Sequence, residues 1–157
     1  MGEYSGVSAT PQKAYRMTRT YYLSGPMSGI PRYNYPLFDR VAALLRRQGY
    51  TMASPAEMDT PEMRAAALAS PDGKSLAGVC GTWGDFLARD VRLIADQVQG
   101  IIMLPGWERS RGARLEAFVA LLQPKCDFLR WDDQASQPVP VSRRTVQGEI
   151  HAAWGLS

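Results

Sequence analysis

The chain has 157 residues, is 45% apolar and carries a formal net charge of +3 with both signs mixed along its length. That is enough chain for one globular core, and dispersed charge argues against a dedicated nucleic-acid binder, whose basic residues cluster. Cys80, Cys126 and the single His151 give no metal-ligand spacing, which excludes a zinc site of the usual kind.

No apolar run reaches the roughly 20 residues of a membrane span, and no signal-peptide core opens the sequence. The expectation is a cytoplasmic protein with free thiols. Residues 1–19 are polar and aperiodic and read as a flexible leader. Tyr21, Tyr22 and Leu23 form a short strand that runs into a turn-rich loop containing Ser24, Gly25, Pro26, Met27, Ser28 and Gly29. Leu37, Val41, Leu44 and Leu45 recur at helical spacing, and Gly49 closes that helix. A second strand over residues 50–53 stops at Ser54-Pro55.

Residues 57–82 read as an insertion or lid. Pro61 opens a short Ala-rich helix in it, followed by a Ser70-Pro71-Asp72-Gly73 turn. Residues 82–96 form a helix, with Phe86, Leu87, Val91, Leu93 and Ile94 as its apolar side. Residues 100–104 are a continuous apolar strand, as in a parallel sheet covered on both faces. A helix over residues 113–122 and a strand over 126–131 follow, and residues 132–157 form a C-terminal tail.

The order β-α-β-insertion-α-β-α-β, joined by right-handed crossovers, predicts a single α/β domain over residues 20–131. Its architecture is a doubly wound parallel sheet. Ligands bind such sheets beyond the carboxyl ends of the strands. That places the loops 24–29, 54–59 and 105–112 around one crevice.

Glu116 follows the last of these loops, early in its helix, where the positive end of the helix dipole favours an ionised carboxylate. There it can act as nucleophile, base or cation stabiliser, or simply pair in solvent with Arg109 or Arg114. Spacing leaves both open. Asp90 lies beside the apolar stripe of its helix and needs either a partner, Arg89 or Arg92, or a ligand. Ser24, Gly25, Ser28 and Gly29 form one Ser/Gly turn, and Ser110 and Gly112 form a second. Such turns offer N–H and hydroxyl groups to an anion, and Arg109 and Arg111 add charge. Tyr22, Tyr33, Tyr35, Trp83 and Trp107 lie near these loops, where a planar base can stack. Tyr22 also suits core packing, and Trp83, between the insertion and the Asp90 helix, is the best lid or base contact.

Several motifs resemble the nucleoside 2-deoxyribosyltransferase-like superfamily, with its small phage and bacterial members nearest. They are Tyr22-Leu23-Ser24-Gly25-Pro26-Met27, Asp90-Val91-x-x-Ile94-Ala95-Asp96 and Ser110-x-Gly112-x-x-x-Glu116-x-x-x-Ala120. The resemblance spans residues 21–131. It implies a flavodoxin-like (Rossmann-like) fold and cleavage of the N-glycosidic bond of nucleosides or nucleotides without cofactor or metal. Glu116 matches the nucleophile and Asp90 the acid that handles the base. Tyr22, Ser24, Gly25, Met27, Ser28 and Gly29 match the sugar and base pocket, and Trp83 is added as a base contact.

Ser110 stands where enzymes acting on free nucleosides carry an Asp. The branch of 2′-deoxynucleoside 5′-monophosphate N-hydrolases carries a Ser there. An Asp repels a phosphate dianion, whereas a Ser donates to it. The resemblance therefore implies a nucleoside 5′-monophosphate as ligand, held by Ser110 and Gly112, and a homodimer or higher homo-oligomer that completes the site. The expected activity is hydrolysis, with transfer to a second base as the alternative. Two rivals remain on the same fold: a non-catalytic nucleotide-binding module, and a phage–host interaction protein whose insertion and tail bind a partner.

Overall fold

The structure, a computed structural model, describes residues 10–74 and 81–155. Five strands form one sheet: Thr20–Ser24 (β1), Thr51–Ala53 (β2), Gly100–Met103 (β3), Asp127–Asp132 (β4) and Gln137–Pro140 (β5). Their spatial order is β2-β1-β3-β4-β5. The first four pair in parallel, and β5 turns back antiparallel on β4. Six helices accompany them: Pro11–Met17 (α1), Tyr35–Arg47 (α2), Pro61–Ala69 (α3), Trp83–Gln97 (α4), Arg111–Leu122 (α5) and Arg143–Ala153 (α6).

Alternation along the strands builds two cores. Tyr21 and Leu23 of β1, Ile102 and Leu129 pack with Phe38, Val41 and Leu45 of α2 on one face. Tyr22, Ile101, Met103 and Phe128 pack with Ile94, Ala113, Ala117, Val146 and Ile150 on the other. Both faces are covered, so the α/β doubly wound arrangement is present in one domain.

Local chemistry sets the helix ends. Gly49 takes φ +91 just after α2, a backbone region open to glycine and the reason it terminates the helix. Thr82 and Asp85 form a reciprocal capping box at the start of α4. Ser110 caps α5 by accepting from the Ala113 N–H at 3.3 Å.

Three segments differ from the sequence expectation. The leader contains α1, with Arg19 fixed by its contact with Asp127 at 3.2 Å; residues 1–9 lie outside the described residues. The C-terminal tail is part of the fold, because Val146 and Ile150 of α6 are fully or almost fully buried in the second core. Its two apolar positions sit four residues apart, too few for a clear amphipathic stripe. The sheet is mixed rather than wholly parallel, since a short turn after Asp132 leaves no room for a crossover helix. In the insertion, α3 forms as read from Pro61, whereas residues 75–80, with Cys80, lie outside the described residues.

The chain runs from β1 through α2 to β2 on one side, and from β3 through α5 to β4 on the other. The order therefore reverses between β1 and β3, and the loops after these two strands part there to form a crevice. The loops approach closely at Gly25, where a Cβ would fall 2.8 Å from the Leu104 Cβ. The loop after β1 is also tied to the segment after α3. Gly29 N–H donates to the Gly73 carbonyl at 2.9 Å, and Arg32 N–H to the Ser70 carbonyl at 2.8 Å. Gly73 permits this: its φ is +66, and a Cβ there would strike the Ile30 carbonyl oxygen.

Candidate functional site

At the switch point lies a cleft of about 1010 Å³, large for a small-molecule site. The β1 loop lines it with Gly25, Pro26, Met27 and Ser28; Pro55 and Asp59 come from the loop after β2. Helix α4 contributes Trp83, Phe86, Leu87, Arg89 and Asp90, and the start of α5 contributes Ser110, Arg111, Gly112 and Glu116. Phe86 and Leu87, which helical spacing assigns to the core, are only half-buried because their side of α4 faces this open cleft.

Glu116 is 7% exposed, on the second turn of α5. Ser24 Oγ donates to its Oε2 at 2.5 Å, and Tyr22 Oη donates to its Oε1 at 3.0 Å. Both donors belong to β1 and are fully buried, so the strand fixes the carboxyl's position. Burial pushes the Glu116 carboxyl up to about 8. The Ser24 and Tyr22 hydrogen bonds oppose this, and the nearby Asp90 charge adds to it. The helix dipole was expected to keep Glu116 ionised. Desolvation wins instead, because the side chain sits in the protein interior rather than at a solvated helix end.

Asp90 is also 7% exposed. Burial raises its carboxyl, Arg89 opposes that, and Asp59 adds to it. Arg89 is the pivot of this corner: its Nε donates to Asp90 at 2.8 Å and its Nη1 to Asp59 at 2.6 Å. Tyr35 Oη donates to the other oxygen of Asp59. One guanidinium thus faces two carboxylates directly, with a third carboxyl, Glu116, close by.

The mouth has the opposite character. Lys74, Arg109 and Arg111 line it and are exposed, and among the described residues none of them pairs with a carboxylate. The Arg111 guanidinium lies 4.8 Å over the Trp83 ring, which is half-exposed. Ser110 Oγ accepts from Ala113 N–H, so its own hydroxyl hydrogen stays available to an anion at the α5 N-terminus.

The residues expected at the site divide into two groups. Glu116, Asp90, Gly25, Met27, Ser28, Trp83, Ser110 and Gly112 line one cleft. Tyr22 and Ser24 are enclosed behind Glu116 and orient it rather than meeting a ligand. Gly29 does not line the cleft; its φ of +81 and its bond to Gly73 shape the loop instead. Among the described residues, no group of three or more His, Cys, Asp or Glu side chains is placed to hold a metal ion. Among them, too, no helix is long and apolar enough to cross a membrane.

Compared with known families, residues 19–125 match the one described as "Domain of unknown function (DUF4406)". The chain belongs to this family. No curated protein and no solved structure matches it. The matched DUF4406 segment runs from just before β1 to just before β4, so it holds Ser24, Asp59, Arg89, Asp90, Ser110 and Glu116.

Sequence reasoning treated Asp59 only as the end of a loop and Arg89 only as one of two partners for Asp90. The available signal was the i, i+1 pair Arg89-Asp90 on a half-apolar helix face. Asp59 gave no signal, because its link to Arg89 spans 30 residues. Tyr35 and Lys74 were likewise unmarked as site residues.

Proposed function

We propose that this protein cleaves the N-glycosidic bond of nucleoside 5′-monophosphates, with Glu116 as nucleophile, releasing free base and sugar 5-phosphate. The observation that carries this reading is a buried carboxyl held by two hydroxyl donors in the same cleft as a helix N-terminus with a free serine donor. Resemblance of the motifs to the nucleoside 2-deoxyribosyltransferase-like superfamily supports it.

The ionised Glu116 attacks the anomeric carbon as positive charge builds on the sugar. The C–N bond breaks, its electron pair goes to the base nitrogen, and Asp90 supplies the proton that nitrogen needs. Water then attacks the glycosyl ester and releases the sugar phosphate. A second base in place of water makes the reaction a transfer. Ser110, the N–H groups of Arg111 and Gly112, and the two arginines hold the 5′-phosphate. A homodimer of this chain, working on the cytoplasmic nucleotide pool, completes the reading.

Incubation with a panel of nucleoside 5′-monophosphates and free nucleosides, followed by chromatography, tests it. Base release from monophosphates is expected, and Glu116→Gln abolishes it while leaving ligand binding intact. Release from free nucleosides alone would overturn the role of Ser110. One observation favours a second reading, a nucleotide-binding module: a Glu116 that is neutral near pH 7 does not attack. Under that reading the wild type binds monophosphates and releases no base.

A further inference from the structure

The distribution of charge in the cleft deepens the reading above, and rests on it. A neutral base leaves only if it gains a proton, so its cleavage needs Glu116 ionised and Asp90 protonated together. The surroundings arrange the reverse. Glu116 is the more enclosed of the two and holds its proton up to about 8. Asp90 accepts a 2.8 Å hydrogen bond from a guanidinium, which favours its ionised form.

A base that already carries positive charge removes the conflict. Its cation would sit among Asp59, Asp90 and Glu116, three buried acids with only Arg89 between them. Its arrival would draw the proton off Glu116 and make the nucleophile. Its departure needs no proton at all. At the mouth, Lys74 comes from the segment after α3, apart from the arginines that start α5. The cleft volume of about 1010 Å³ lies at the upper end of the ~300–1,000 Å³ usual for small-molecule sites. Both leave room for a second phosphate beyond the one at Ser110.

We propose that the preferred substrate is a dinucleotide with an N-ribosyl pyridinium head: the cationic ring lies on the Asp59–Asp90 floor and the diphosphate spans Ser110 and Lys74. In the step, a Glu116 oxygen bonds to the anomeric carbon, and the C–N⁺ bond breaks. The electron pair neutralises the ring nitrogen and a neutral pyridine leaves. Water then cleaves the glycosyl ester, giving the ribosylated diphosphate and one proton.

The full-length protein is incubated separately with NAD⁺, nicotinamide mononucleotide, and adenosine and cytidine 5′-monophosphates and their deoxy forms, and released base is quantified. The expected kcat/KM order is NAD⁺ first, nicotinamide mononucleotide next and neutral-base monophosphates last, with steps of about tenfold, the worth of one charge-assisted contact. Lys74→Ala raises KM for NAD⁺ and leaves cleavage of the mononucleotides unchanged. Asp90→Asn slows neutral-base substrates far more than NAD⁺. Neutral-base monophosphates cleaved faster than both pyridinium substrates would overturn this inference and leave the Glu116 reading standing. Equal use of NAD⁺ and nicotinamide mononucleotide would overturn the second phosphate site. No base from any substrate would overturn both.

Discussion

Replacing Glu116 by glutamine tests the central electrostatic feature without touching substrate. The carboxyl moves from an ordinary 4.5 to about 8 on folding, chiefly through burial. The folded state therefore holds its proton more tightly than the unfolded chain. Stability from this group is full below pH 4.5 and is lost as pH rises through about 8. At about 1.4 kcal/mol per pH unit, the wild type sheds about 4–5 kcal/mol across that window.

Glutamine does not titrate, and its volume and acceptor oxygen are close to those of the acid. Any constant effect of losing one Ser24 or Tyr22 contact cancels when two pH values are compared. Between about pH 5.5 and about pH 8.5 the Glu116→Gln variant should gain about 3 kcal/mol on the wild type. Asp90 adds to this in the same direction, since removing a neighbouring charge relaxes it. Urea unfolding of both proteins at the two pH values, followed by tryptophan fluorescence, reads the difference. Parallel behaviour at both pH values would refute the reasoning. So would a wild type that gains on the variant as pH rises. Either would mean that Ser24, Tyr22 and the helix dipole outweigh desolvation.

Three further outcomes follow from the same geometry. Ser24→Ala and Tyr22→Phe each remove a donor that favours the carboxylate, so the rising limb of the cleavage rate against pH moves to higher pH in both; an unmoved limb would deny their orienting role. Ser110→Asp keeps a good helix cap but sets a carboxylate against the phosphate, a repulsion of several kcal/mol. Cleavage of 5′-monophosphates should fall on the order of 10²-fold, with free nucleosides spared, as kinetics on matched pairs will show. Gly25→Ala forces a Cβ to within 2.8 Å of the Leu104 Cβ. It should destabilise the fold by about 1–3 kcal/mol, measured as a lower urea midpoint.

The sheet and the position of Glu116 were legible because local patterns carried them. Residues 100–104 are apolar without a break, and Gly49, Thr82 and Ser110 mark helix ends by their own chemistry. The antiparallel β5 and helix α6 were not legible. Pro138 and Pro140 look like loop residues, and the edge position that tolerates them is visible only once the sheet is assembled. The electrostatics of Glu116 were misjudged for a related reason. Early placement in a helix is local, whereas burial behind Tyr22 and Ser24 depends on contacts 94 and 92 residues away. The Arg89 bridge between Asp59 and Asp90 escaped on the same ground.

The two rims of the sheet carry one more consequence. Strand β2 has three residues, and β5, at the other rim, has Pro138 and Pro140 among its four. Neither offers the run of free N–H groups that a further strand needs. Growth by strand addition, the route to fibrils and domain-swapped ribbons, is blocked at both ends. A second copy of this chain must therefore meet the first through helices. On that surface the Phe118 and Trp154 rings of α5 and the end of α6 already lie 6.0 Å apart and partly in solvent.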